Sequence, residues 1–85
     1  MTERDLALIQ KYNRERDKAV KSLNVEKFKK FCKRWGNPYP NDDYIIEIMM
    51  RKMMYHINSF SPEEKQSAKE WLKSRGYTTD VGGSA

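Results

Sequence analysis

Apolar residues fall along this chain in four separated sets, and each set keeps the three-to-four-residue spacing of one helical face. The densest set is Tyr44-Ile45-Ile46-Glu47-Ile48-Met49-Met50-Arg51-Lys52-Met53-Met54-Tyr55-His56-Ile57, in which ten of fourteen residues are apolar or aromatic. It predicts a helix over 42–58 that the rest of the molecule must cover. Ile46, Met49, Met50, Met53 and Ile57 define its main face, widened by Ile45, Ile48 and Tyr55. Its polar strip is narrow, with Glu47 and Arg51 spaced for an i, i+4 ion pair. Lys52 and His56 interrupt the other side, so the helix cannot be buried all round. An edge near Arg51, Met54 and Asn58 is expected to reach solvent or a partner.

The flanking sets predict three more helices. Over 3–22, Leu6, Leu8, Ile9, Tyr12, Ala19, Val20 and Leu23 share a broad face, opposite Lys11, Arg14, Lys18 and Lys21. Thr2 is a suitable N-cap, and Glu3 and Asp5 suit the positive end of the helix dipole. Arg16 projects through the apolar face. Either its stem packs while its guanidinium snorkels outward, or it is charge-paired at an interface with a carboxylate of another helix. Over 24–35, Val25, Phe28, Phe31, Cys32 and Trp35 oppose Lys27, Lys29, Lys30, Lys33 and Arg34. Asn24 supplies the N-cap, and Gly36 supplies a left-handed stop before Asn37-Pro38-Tyr39-Pro40. Over 62–75, Ser61-Pro62-Glu63-Glu64 reads as a capping box with proline at the first helical position. Ala68, Trp71 and Leu72 form that helix's short apolar stripe, and Gly76 ends it. The pattern predicts an all-α fold, a compact bundle of four helices with the third one central. A single domain over 1–77 is expected, followed by a flexible tail over 78–85 that ends in Gly82-Gly83-Ser84-Ala85.

Eighty-five residues can bury only a modest core, which makes a partner or self-association plausible on size alone. Charge adds an asymmetry that the apolar pattern does not show. Residues 1–40 hold eleven Lys/Arg against five Asp/Glu, or +6, whereas residues 41–85 hold six against seven, or −1. An acidic partner should therefore meet the first two helices. The formal net charge of +5 is the sum of these halves.

Few residues carry candidate chemistry. Cys32 is the single cysteine, so no intramolecular disulfide can form, and a reducing, cytoplasmic setting is expected. It lies on an apolar face, as a buried inert thiol would. His56 is the single histidine, and no spacing of His, Cys or carboxylates resembles a metal site. No nucleophile–base pair or phosphate loop is present at recognisable spacing, so neither an enzyme, nor a cofactor, nor a small-molecule substrate is predicted. The N-terminus is charged at once, and charges interrupt every apolar run, which predicts neither a signal peptide nor a membrane association.

Two functions remain. The first is a non-catalytic protein-interaction or regulatory module, binding a protein partner or a second copy of itself, with Arg51, Met54, Asn58, Arg16 and Tyr39 as candidate contacts. Met49, Met50, Met53 and Met54 motivate it, because clustered methionines suit either a core or an adaptable binding surface. The alternative is a nucleic-acid-binding protein that uses Lys27, Lys29, Lys30, Lys33, Arg34, Arg14 and Lys18. A helix-turn-helix does not fit: the connection over 36–40 is too long, and the helix after it is apolar where a recognition helix is polar. Phe28, Phe31 and Trp35 share a face without cations, so they are expected in the core rather than as stacking platforms.

Overall fold

The computed structural model describes residues 2–80; Gly82-Gly83-Ser84-Ala85 and the rest of the predicted tail beyond Asp80 lie outside them. The chain is all-α among these residues, with α1 (Glu3–Lys21), α2 (Val25–Trp35), α3 (Asp43–His56) and α4 (Pro62–Ser74). The helices form two compact units, one over Met1–Tyr39 and one over Pro40–Ala85. None of the described helices is long and apolar enough to cross a membrane.

Each start is fixed by a side chain that satisfies amide groups the helix itself leaves free. Thr2 and Asp5 close a capping box on α1, and Ser61 and Glu64 close another on α4. Asn24 accepts from the Lys27 amide, and Asp42 accepts from the amides of Tyr44 and Ile45. Gly36 ends α2 at φ 70°, where a Cβ would be strained. Gly76, at φ 81°, lets the Tyr77 amide return to the Leu72 carbonyl oxygen at 2.9 Å and so closes α4.

In the first unit α1 and α2 form a helical hairpin. The turn between them places Leu23 at φ 52°, a left-handed conformation in a residue other than glycine. The Tyr12 ring meets Phe31 at a centroid distance of 5.3 Å and Trp35 edge-on at 5.2 Å. Asn37 donates to the Tyr12 hydroxyl at 3.0 Å, so the far end of α2 reaches α1 at Tyr12. Helix α1 has nineteen residues and α2 eleven, and the excess corresponds to about 12 Å of helix. Ala19 and Val20 are buried, while Leu6, Leu8 and Ile9 are 49%, 54% and 43% exposed. The periodic pattern put all five on one face. The difference follows from length, because α2 stops short of the first turns of α1.

In the second unit α3 packs against α4. The most deeply buried stripe of α3 is Ile46, Met50 and Met54, at i, i+4 and i+8. Met54 is 3% exposed, which corrects the expectation that it lies on an open edge. Ile45 is 45% exposed and His56 is also exposed, so the more open side of α3 is the one interrupted by Lys52 and His56. The buried face is thus rotated toward the Glu47–Arg51 strip. The cause is Trp71 of α4, whose indole ring lies 4.9 Å from the Arg51 guanidinium carbon. A flat aromatic face accepts a guanidinium, and Arg51 becomes covered while the Glu47 side chain stays 37% exposed.

Candidate functional site: a cationic groove between the first two helices

The strongest candidate site lies within the first unit, between α1 and α2 beside their turn. A groove of about 640 Å³ opens there. Lys18 and Lys21 of α1 face it from one side, and Lys27, Lys30 and Arg34 of α2 from the other. Ala19 and Phe31, each 7% exposed, form its apolar floor, and Glu15 is the single carboxylate among the lining residues. This arrangement follows from two helical wheels. Lys27, Lys30 and Arg34 recur at i, i+3 and i+7, as do Lys18 and Lys21 at i, i+3, so each helix lines the groove with one row of cations.

Glu15 has a distinct position. Its Oε1 accepts from the Trp35 indole Nε1–H at 3.3 Å and pairs with Arg34 Nε at 3.2 Å. Its side chain is 27% exposed, whereas that of Arg34 is 58% exposed. One carboxylate therefore ties the two helices together and neutralises one end of the groove. Lys18, Lys21, Lys27 and Lys30 have no ion-pair partner among the described residues. The groove thus has an electrically balanced end at Arg34 and a strongly cationic end at the turn. Lys11 lies one turn from Glu15 on the same helix, yet Glu15 pairs with Arg34 of α2. The signal for the observed pairing is Trp35, whose half-buried indole N–H seeks an acceptor.

The predicted basic residues divide accordingly. Lys18, Lys27, Lys30 and Arg34 converge on the groove, and Lys21 joins them although it was read only as part of a solvated face. Lys29 pairs with Glu26 at 3.6 Å. Arg14 and Lys33 are exposed but do not line the groove. Arg16 is held by its neighbour Asp17, with Nε and Nη2 donating to one carboxylate oxygen at 3.1 and 3.0 Å. Its side chain is 26% exposed, so its stem packs and its charge is met on its own helix. Tyr39 is half-buried at the end of the first unit.

The residues expected on an edge of α3 are not brought together on open surface. Asn58 is exposed, Met54 is buried, and the Arg51 side chain is only 13% exposed. Trp71 is a local hub: the Arg75 guanidinium lies 4.1 Å from its ring centroid, and Tyr44 meets both Trp71 and Tyr77 at 6.3 Å. Burial pulls the Arg51 guanidinium below its ordinary pKa; nearby Glu47 opposes this shift and Arg75 adds to it. Arg51 Nε is buried without a hydrogen-bond partner.

Catalytic parts are sparse. Cys32 is 3% exposed, and burial pushes its thiol pKa up, which disfavours the nucleophilic thiolate. The His56 ring meets the Thr79 carbonyl oxygen through Nε2. No group of three His, Cys, Asp or Glu side chains among the described residues could hold a metal ion. Comparison with protein families, with curated proteins and with solved structures finds no match to this chain.

Proposed function

We propose that this protein is a non-catalytic protein-interaction module whose α1–α2 groove receives an acidic segment of a partner protein. The observation that carries this reading is the convergence, on a groove with an apolar floor, of four lysines that have no ion-pair partner among the described residues. Lysines on both walls act as point charges that attract carboxylates, and their methylene stems extend the apolar lining. Complementary charge of this kind speeds encounter and selects among partners. A cytoplasmic setting suits the single buried thiol.

Two neighbouring readings have less support. Nucleic acid would use the same cations, but single-strand binding also draws on exposed ring faces, and Phe31 in the groove floor is buried. Self-association was motivated by the methionines of α3, and Met50 and Met54 are taken up in burial.

The test is a salt titration with fluorescent acidic peptides, run beside an oligonucleotide of equal charge. Binding should weaken steadily as salt rises, and Lys18→Glu with Lys30→Glu should abolish it. Peptide affinity unchanged in that variant would refute the assignment to the groove.

A further inference from the structure

Resting on that reading, we infer that the groove takes an amphipathic acidic segment in one orientation: an apolar anchor held among the methylene stems of Lys18, Lys27 and Lys30 above the buried Ala19 and Phe31, with its carboxylates toward the turn between α1 and α2. The walls and the floor carry different information. A charged groove with a charged floor would hold any polyanion, in any register, by counterion release alone. Here the floor is uncharged, with Ala19 and Phe31 each 7% exposed, and the lysine stems above it are the apolar surface that a purely acidic chain would leave without a partner. A ligand matched to both surfaces alternates an apolar side chain with carboxylates, as helix-in-groove peptides do. A phosphate backbone supplies the charge but has no apolar side chain for the floor.

The two ends of the groove set the orientation. At the turn end, Lys21 and Lys27 are free of ion-pair partners among the described residues. At the other end, Glu15 already occupies Arg34, at 3.2 Å, and is itself anchored by the Trp35 indole. A ligand carboxylate near Arg34 meets a charge that is already balanced, and it is repelled by Glu15. Carboxylates gain most at the turn end. Glu15 is therefore a specificity-determining residue, because it keeps acid-rich segments from binding in the reverse direction or along the whole groove.

Three peptides of equal length separate these claims in anisotropy titrations with the full chain. One carries a phenylalanine followed by acids on one side only. The second has serine in place of that phenylalanine. The third carries the phenylalanine with acids on both sides. A single-stranded oligonucleotide of matching charge is the fourth probe. The anchored one-sided peptide should bind at least about tenfold more tightly than its serine counterpart, a difference of about 1.4 kcal/mol. Glu15→Gln should tighten the two-sided peptide several-fold while changing the one-sided peptide little. Circular dichroism checks that this variant keeps its helices. Equal affinity for the anchored and serine peptides, both lost in the Lys18→Glu/Lys30→Glu variant, would overturn this inference and leave the groove as a general site for acidic segments. An equal effect of Glu15→Gln on one-sided and two-sided peptides would overturn the orientation. Tighter binding of the oligonucleotide than of every peptide, or no binding by any probe, would overturn the proposed function together with this inference.

Discussion

Replacing Glu15 by alanine should cost the first unit about 1.5 kcal/mol, and that figure can be built from two contacts. The indole N–H of Trp35 donates to a carboxylate, and hydrogen bonds to charged groups contribute about 1.5–3 kcal/mol when well buried. This one is long, at 3.3 Å, and the Glu15 side chain is 27% exposed, so solvent screening lowers it to about 1 kcal/mol. The partner cation Arg34 is 58% exposed, and its ion pair adds about 0.5 kcal/mol. Urea denaturation followed by far-ultraviolet circular dichroism reads the total. Double-mutant cycles apportion it: Glu15→Ala with Trp35→Phe should show a coupling of about 1 kcal/mol, and Glu15→Ala with Arg34→Gln about half that. A Trp35 coupling near zero, or one smaller than the Arg34 coupling, would refute the claim that Glu15 ties the hairpin mainly through the indole.

Two further outcomes follow from the burial pattern. Arg51→Met should change stability by less than about 1 kcal/mol, or raise it, because the stem's packing is kept while a poorly satisfied guanidinium is removed from beside Trp71; a loss above about 2 kcal/mol in urea denaturation would show that the charge itself holds α3 to α4. Burial raises the Cys32 pKa in the folded state, so its contribution is complete below about pH 9 and is lost as pH rises through the folded-state value. Cys32→Ala should therefore show a shallower fall in stability above about pH 9 than the parent, and an identical fall in both proteins would contradict the assignment.

The helices were legible because each is bounded by local chemistry. Thr2, Asn24, Asp42 and Ser61 all act as N-caps, and the observed limits lie within about two residues of those predicted. Periodicity also placed Phe28, Phe31 and Cys32 in the core. What it could not give was the extent of cover. Leu6, Leu8 and Ile9 have the spacing of a buried face, but whether a face is buried depends on the length of its neighbour, and α2 ends at Trp35, beside Tyr12 of α1. Arg51 failed for a different reason. A charge on a wheel reads as solvent, and only the position of Trp71 in space shows that it is covered. The groove was half legible. Two runs of cations were plain in sequence, but their convergence needs the turn at Leu23, and the role of Glu15 needs a contact twenty residues away.

The central claim is that the cationic groove of the first unit is where a partner binds. Amide chemical-shift mapping tests it most directly: the uniformly ¹⁵N-labelled protein is titrated with the anchored acidic peptide. The account predicts perturbations that centre on Lys18, Ala19, Lys21, Lys27 and Phe31, that fade toward Arg34, and that vanish at high salt. Perturbations centred on the second unit, or spread evenly over every exposed lysine, would contradict it.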